Sequence, residues 1–173
     1  FYSDLAIHYY TSENYDKAMN FFNLAANKAF FIFDYKQAAD CYNEIISIIQ
    51  KDKKYKSSIE KINQEDNSDK DNKIIRYYIK AKIGLSKILL NTGKWDESLA
   101  ILNDINKSMK NADKKDIFDM AFSIGKIYSL KRNHDDAIKF YKEALRYATE
   151  QNDISKQGLT IGELAQIAFD LGK

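Results

Sequence analysis

The sequence predicts an all-α protein built from antiparallel pairs of helices. Apolar residues recur at spacings of three and four along almost the whole chain, which is typical of amphipathic helices that pack on a core. None of the 173 residues is proline, the residue that most often breaks a helix interior. Apolar and polar residues nowhere alternate with a sustained period of two, so no strand is predicted.

The apolar spacing and the turn residues between the apolar stretches predict eight helices. These helices cover 2–12, 15–32, 35–50, 73–92, 95–110, 115–132, 135–150 and 154–171. Turn or capping residues lie at the breaks, namely 12–14, Asp34, 92–93, 111–113 and 152–153. The array therefore has N-terminal helices over 1–50, a polar segment over 51–73, and hairpins with a truncated last repeat over 74–173.

The polar segment differs in composition from the helices on either side. Its second half carries no large apolar residue, so we expect 63–73 to be a flexible loop between helices. We expect the first part of the segment to extend the preceding helix.

Three stretches of the sequence repeat one pattern: "SENYDKAMNFFNLA", "TGKWDESLAILNDI" and "KRNHDDAIKFYKEA". Each has a ring followed three residues later by a small residue, and a further small residue lies in the helix before the turn. The rings are Tyr15, Trp95 and His134; the later small residues are Ala18, Ser98 and Ala137; the earlier ones are Ala6, Ser86 and Gly125. Because a larger side chain would clash where two axes come close, the small residues predict the crossing points of helix pairs.

The stretch "IGKIY" (124–128) followed by "NHDDAIKFYKEAL" (133–145) resembles the tetratricopeptide repeat. The resemblance is strongest over 81–173, good over 5–25 and looser over 26–50, where "YKQAADCYNEII" (35–46) repeats only the second half of the motif. It implies a right-handed superhelical solenoid of antiparallel helix hairpins that binds proteins.

Two features depart from the family pattern. The proline usual near the end of the second helix is missing, and the spacing from Ser86 to Gly125 to Ala165 is close to forty residues rather than 34. The last copy, 162–173, supplies one helix and a turn. We therefore expect further repeats beyond Lys173, or another chain, to cover its apolar face.

A narrower resemblance covers residues 5–46. This stretch is similar to the start of the helical-repeat region that follows the ATPase module in soluble adenylyl cyclases and related signalling ATPases. The shared residues are His8, Tyr9, Tyr10, Lys17, Ala18, Ala25, Ala29, Tyr35, Ala38 and Tyr42. The resemblance implies that cyclase and ATPase domains lie N-terminal to Phe1 in a larger signalling protein.

The sequence contains no recognisable catalytic, cofactor or metal motif, so a non-enzyme is predicted. Its six glycines are scattered, and two histidines with one cysteine give no metal-ligand spacing. His8 could be a base, but it has no acidic partner at helical spacing, so a surface or packing role is favoured. Cys41 is expected to be a buried apolar residue. His134 and Trp95 occupy the ring position of a turn, with ligand stacking as the alternative for Trp95.

Charge and hydropathy bear on partners and location. The formal net charge is +2, which argues against a dedicated nucleic-acid binder. The tract "KIIRYYIKAK" (73–82) mixes basic and aromatic residues as RNA-binding repeats do, although it also fits an ordinary amphipathic helix. No apolar run is long enough to cross a bilayer. A membrane partner is therefore not predicted, and the single cysteine favours a cytoplasmic location.

The tetratricopeptide resemblance also implies where a partner binds, because in that family the first helices of successive hairpins line a concave groove. The corresponding residues are Lys80, Ile83, Lys87, Leu90, Asp119, Phe122, Lys126, Ser129, Gln166 and Phe169. The lysines predict a basic groove suited to an acidic peptide. A clamp for a C-terminal carboxylate is not reproduced, since Ile83 and Phe122 stand where it needs a cation. That these residues are merely solvated or packed remains the alternative.

The sequence thus favours a non-catalytic scaffold for protein–protein or intramolecular regulatory contacts. A peptide-sensing regulatory domain is the first alternative. An RNA-binding helical repeat is the second, less favoured one.

Overall fold

The computed structural model describes residues 1–60, 68–106 and 114–172, and within these ranges it has nine α-helices and no strand. They are α1 (Tyr2–Thr11), α2 (Tyr15–Phe31), α3 (Tyr35–Lys51), α4 (Lys53–Glu60), α5 (Asp69–Asn91), α6 (Trp95–Asn106), α7 (Lys114–Leu130), α8 (His134–Glu150) and α9 (Ile154–Asp170). The all-α prediction is confirmed for the described residues. Seven of the eight predicted helices begin within one residue of the observed start.

The polar segment contains more helix than predicted. α5 begins at Asp69 instead of residue 73, because the Ser68 hydroxyl accepts a hydrogen bond from the Asp71 N–H at 3.1 Å and caps the helix. The first part of the segment does not extend α3. Asp52 is extended and its carboxylate accepts the Lys54 N–H at 2.8 Å, so α4 is a separate helix. Residues 63–67 of the predicted loop and the predicted break at 111–113 lie outside the described residues.

One type of turn recurs between the helices. Its central residue has a positive φ of 52° to 81°, and in the first five cases one further residue precedes the following helix. These central residues are Glu13, Phe33, Gly93, Arg132, Asn152 and Gly172. In the first five turns the next N–H donates to the carbonyl five residues earlier, at 2.8 to 3.0 Å, as in a Schellman motif. The chain therefore reverses in the same way each time.

The length of the repeat follows from these turns. Turns 13 and 33 are twenty residues apart, as are turns 132, 152 and 172. Five of the helices, α2, α3, α7, α8 and α9, have 17 residues each. A 17-residue helix with its three-residue connection forms the unit, and two units give the forty-residue spacing seen in the sequence.

Small residues lie where paired helices cross, seven residues before the turn centre and five residues after it. The pairs are Ala6 with Ala18, Ala26 with Ala38, Ser86 with Ser98, and Gly125 with Ala137, and all eight residues are buried. The Ser98 hydroxyl donates to the Ser86 carbonyl at 2.8 Å, which shows directly how close α5 and α6 come. The predicted role of the small residues is confirmed at this crossing.

The pair Ala26 and Ala38 changes the interpretation of the N-terminal repeats. The sequence suggests that 35–46 carries only the second half of a motif, whereas α2 supplies the first half. α2 is therefore the second helix of the α1/α2 pair and also the first helix of the α2/α3 pair. The chain continues with α5/α6, α7/α8 and then α9, and α3 packs on α5, α6 on α7, and α8 on α9.

The last described helix presents an uncovered apolar side. Ala165 lies seven residues before Gly172, the register of the crossing residues elsewhere, yet it is exposed. Ile161 and Phe169 on the same helix are also exposed. The expectation that a further helix or another chain covers this side stays a prediction.

Candidate functional site

A pocket of about 270 Å³ lies where α2, α5 and α7 come together beside α3. Its lining residues are Asn23, Asn27, Phe30, Tyr42, Lys80, Ile83, Gly84, Lys87, Lys115, Asp116 and Asp119. We call the surface of α2, α5 and α7 that borders this pocket the inner face. The packing of α3 on α5 and of α5 on α7 holds the three helices side by side.

Four of the ten predicted groove residues line this pocket together: Lys80, Ile83, Lys87 and Asp119. They come from two successive first helices, as the resemblance implied. Ile83 is buried at 4% exposure, so it forms part of the pocket wall with little free surface of its own.

The other six predicted residues lie outside the pocket. Leu90 packs against the core cluster between α5 and α7, and Phe122 stacks on Phe118 with ring centroids 5.7 Å apart. Ser129 is half-buried, and Gln166 donates to the Asp170 carboxylate at 2.9 Å. Lys126 is held in an ion pair described below, and Phe169 is 78% exposed on α9. These residues are therefore not gathered into one site with the first four.

The contribution of α2 to the inner face was not predicted from the sequence. Asn23, Asn27 and Phe30 stand ten, six and three residues before the turn at Phe33. Ile83, Lys87 and Leu90 stand at the same distances before the turn at Gly93. One sequence signal could have revealed that α2 is a first helix. Ala26 and Ala38 are twelve residues apart, the same separation as between the two small residues of each of the three hairpins recognised from the sequence.

Tyr42 organises the floor of the pocket. Its ring lies so close to Gly84 that a Cβ atom there would be 2.2 Å from Tyr42 Cζ. The Tyr42 hydroxyl donates to Asn27 Oδ1 at 3.0 Å, which fixes the carboxamide of Asn27. Burial, and then the neighbouring Cys41 and Asp119, raise the pKa of Tyr42 to about 12, so this hydroxyl stays protonated and remains a donor at neutral pH.

Two of the three predicted groove lysines, Lys87 and Lys126, are paired with carboxylates of the next first helix. Lys87 Nζ lies 2.7 Å from Asp119 Oδ2, and these side chains are 33% and 20% exposed. Lys126 Nζ lies 2.6 Å from Glu163 Oε1. Three lysines and two aspartates line the pocket, so its charge is nearly balanced. This arrangement does not support the prediction of a basic groove selective for an acidic partner.

Glu163 joins three helices at the α9 end of the array. It pairs with Lys126 of α7, and it accepts a hydrogen bond from the Tyr141 hydroxyl of α8 at 3.0 Å. Burial, and then the charge and hydrogen bond of Glu163, raise the pKa of Tyr141. These contacts fix the position of α9 against the α7/α8 pair.

The basic and aromatic tract at 73–82 serves mainly to pack α5. Ile75 and Ile79 are fully buried, and Tyr78 is half-buried with Lys82 Nζ 5.5 Å from its ring centroid. This packing is that of an ordinary amphipathic helix, and the match to a tetratricopeptide repeat elsewhere in the chain gives the RNA alternative no support.

The remaining candidate residues have structural surroundings. His8 is exposed with its ring against Tyr9, and His134 is half-buried at the start of α8. Cys41 is 5% exposed, and burial raises the pKa of its thiol, which lowers the fraction present as reactive thiolate at neutral pH. Trp95 packs against the core cluster of α5 to α7.

Neither a metal site nor a membrane span is formed by the described residues. Over 1–60, 68–106 and 114–172, no group of three or more histidine, cysteine, aspartate or glutamate side chains could hold a metal ion. No helix in these ranges is both long enough and apolar enough to cross a membrane.

Comparison with known families agrees with the geometry of α7 and α8. Residues 118–151 match the family model of the tetratricopeptide repeat. Together with the all-helical, repeat-like architecture, this match supports a tetratricopeptide-like helical repeat protein. No significant match is found among curated proteins or among solved structures. The similarity of residues 5–46 to soluble adenylyl cyclases is therefore not supported by these comparisons.

Proposed function

We propose that this tetratricopeptide-like protein is a non-catalytic scaffold whose inner face binds an extended peptide segment of a protein partner. The observation that carries the proposal is the pocket to which α2, α5 and α7 all contribute. Tetratricopeptide repeats commonly bind proteins or peptides, and residues 118–151 match that family. A pocket shared by successive first helices gives such a segment a continuous surface to follow.

The chemistry of the pocket suits a peptide main chain with mixed side chains. The carboxamides of Asn23 and Asn27 offer donors and acceptors of the kind that peptide groups need. Phe30 adds an apolar wall. Because the Lys87–Asp119 pair puts both signs of charge at the pocket edge, a partner segment with both acidic and basic residues is favoured over a purely acidic one.

The finer features of the proposal rest on resemblance. In this proposal the helix pairs wind into a right-handed superhelix with the inner face on its concave side. Intramolecular regulation inside a larger cytoplasmic signalling protein is the narrower form of the function. It is motivated by the likeness of residues 5–46 to the repeat region of soluble adenylyl cyclases, and it predicts cyclase or ATPase sequence upstream in the same reading frame.

Site-specific photo-crosslinking tests the proposal. A benzophenone amino acid is placed at Asn23, on the inner face, and in a matched variant at Asn103, an exposed asparagine of α6. Asn23 should capture a partner protein that Asn103 does not, and a peptide from the captured segment should compete for it. Identical crosslinking at the two positions would contradict the proposal.

A second measurement separates the RNA alternative from the scaffold. Nanomolar binding of single-stranded RNA with a steep dependence on salt would favour RNA as the ligand. Capture at Asn23 that persists after ribonuclease treatment would favour a protein.

A further inference from the structure

A second groove, which shares no lining residue with the inner-face pocket, separates α1 from α3 and has α2 as its floor. Its volume is about 400 Å³. The lining residues are Ser3, Ile7, Tyr10, Phe22, Gln37, Asp40, Cys41 and Glu44. We call it the α1–α3 groove. It exists because α1 and α3 both pack on α2, through the crossings at Ala18 and Ala26, and leave Phe22 between them.

The two walls of the groove have helical spacing. Ser3, Ile7 and Tyr10 follow one another at intervals of four and three residues on α1. Gln37, Cys41 and Glu44 do the same on α3. Because α1 and α3 each run antiparallel to α2, the two walls are parallel to each other. They extend for about two helical turns, roughly 10 Å at 1.5 Å per residue.

The α1 wall carries the exposed apolar surface of the groove. Ile7 is 54% exposed although it is a large aliphatic residue, whereas Phe22 in the floor and Cys41 in the α3 wall are buried at 6% and 5% exposure. Amphipathic helices bind grooves of this shape by burying side chains at i, i+3 or i+4, and i+7. The two-turn length of the walls matches the distance from i to i+7 along one face of such a helix, about 10 Å.

The charge of the groove is one-sided. Asp40 and Glu44 are exposed and stand four residues apart on the α3 rim. Neither forms an ion pair or a side-chain hydrogen bond with any residue of the described part of the chain, and none of the eight lining residues is a lysine or arginine. By contrast, the lysines and aspartates of the inner-face pocket largely balance one another. Two uncompensated carboxylates one helical turn apart favour a ligand with two cations at the same spacing.

We propose that the α1–α3 groove binds an amphipathic helix of a protein partner. The apolar residues of that helix contact Ile7 and Phe22, and two of its lysines or arginines, one turn apart, face Asp40 and Glu44. This interaction is independent of peptide binding at the inner face, since the two sites have different walls and opposite preferences for secondary structure.

Selection from a displayed library of helical peptides tests the proposal with ligands of random sequence. Peptides are selected for binding to the wild-type protein, and those that also bind the Ile7→Ser variant are removed. The surviving peptides should carry an apolar stripe at i, i+3 or i+4, and i+7, flanked by two basic residues one turn apart. Survivors without basic residues at that spacing, or survivors that are acidic, overturn the proposal.

A crosslinker in the groove reports where the selected peptide binds. A benzophenone amino acid at Gln37, an exposed residue of the groove, should capture the bound peptide, whereas the same amino acid at Asn103 of α6 should not. Absence of capture at Gln37 under conditions where the peptide is bound, or equal capture at the two positions, places the peptide elsewhere and overturns the proposal. Crosslinking at Asn23 is a separate readout, so failure here leaves the inner-face proposal intact.

Paired variants test the charge and the apolar contact. Asp40→Asn with Glu44→Gln should weaken peptide binding about tenfold, whereas Asp104→Asn with Asp135→Asn, exposed carboxylates elsewhere, should leave it unchanged. Ile7→Ser should weaken binding, whereas Ile161→Ser, at 53% exposure, is its matched control. Equal effects of a variant and its control overturn the proposal, because they would show a response to net charge or surface hydrophobicity alone.

Discussion

The ring of Tyr42 rests against Gly84, so that a Cβ atom added at Gly84 would lie 2.2 to 2.7 Å from three of its carbon atoms. This contact joins α3 to α5 and forms the floor of the inner-face pocket. The same tyrosine is hydrogen-bonded to Asn27 of α2 at 3.0 Å. One side chain thus sets the mutual position of three helices at the candidate site, which makes its surroundings a sensitive place to test the structure.

Replacing Gly84 by alanine should destabilise the protein. Alanine improves helix propensity by about 1 kcal/mol. The overlap with Tyr42 forces the ring or α5 to move, and because all three approaches are shorter than 3.0 Å we expect a cost at the upper end of the usual range, about 2–3 kcal/mol. Gly162→Ala is the matched control, because nothing lies within 4 Å of a Cβ atom there and only the propensity gain remains. Urea unfolding should therefore show a lower free energy of unfolding for Gly84→Ala and a higher one for Gly162→Ala, each relative to the wild-type protein. Two changes of the same sign and size would show that the Tyr42 ring does not constrain residue 84.

Stability should also fall at alkaline pH because of Tyr42. Its pKa is about 12 in the folded protein against 10 when exposed, so folding favours the protonated phenol. Below pH 10 this contribution is complete. Between pH 10 and 12 only the unfolded state loses the proton, so the free energy of unfolding falls by about 1.4 kcal/mol per pH unit from this group. Urea titrations between pH 9.5 and 11.5 should show a shallower fall in Tyr42→Phe.

The same variant gives a check at neutral pH. Tyr42→Phe removes the hydrogen bond to Asn27 and should cost about 1 kcal/mol there. If the free energy of unfolding of the wild-type protein and of the variant fell in parallel with pH, Tyr42 would have the same pKa in the folded and unfolded states. This conclusion would hold even if the two proteins differed in stability at pH 7. Other tyrosines with raised pKa, such as Tyr141, are present in both proteins and do not affect the comparison.

The helices and their crossings could be predicted from the sequence because their causes are local. Apolar spacing, caps such as Asn14, and a small residue on each side of a turn all lie within about twenty residues of one another. Ala26 and Ala38 carry the same signal. The inner-face asparagines of α2 were missed because α2 was assigned only as the second helix of a pair, although it also serves as a first helix.

The contacts between repeats could not be predicted in this way. Tyr42 and Gly84 are separated by α4 and by residues 61–67, so their contact depends on how far the chain travels between α3 and α5. Lys87 and Asp119 are 32 residues apart, and their pairing depends on the relative placement of α5 and α7. Sequence spacing indicated that the lysines face the groove but gave no information about the carboxylates that would meet them.

The recurring turn gives a prediction about backbone conformation. Glu13 adopts a φ of 57°, a left-handed conformation that costs a residue with a side chain about 1 kcal/mol. Glu13→Gly should therefore stabilise the protein by up to about 1 kcal/mol, whereas Gly93→Ala, at a φ of 81° in the corresponding turn, should destabilise it by a similar amount. Thermal and urea unfolding measure both changes. A loss of stability in Glu13→Gly would show that side-chain contacts of Glu13 outweigh its backbone strain.

The ion pair between Lys87 and Asp119 should couple α5 to α7 at the edge of the pocket. A double-mutant cycle with Lys87→Met and Asp119→Asn should give a coupling energy of about 1 kcal/mol, since both side chains are partly shielded and only 2.7 Å apart. The Lys94–Glu97 pair, at 3.6 Å and with both side chains more than half exposed, should give about 0.3 kcal/mol or less. Repeating both cycles in 1 M salt should reduce the exposed pair more strongly, because buried charges are screened less. Equal coupling in the two cycles would indicate that Lys87 and Asp119 are effectively solvated, and the pocket edge would then present a free cation and a free anion to a ligand instead of a neutralised pair.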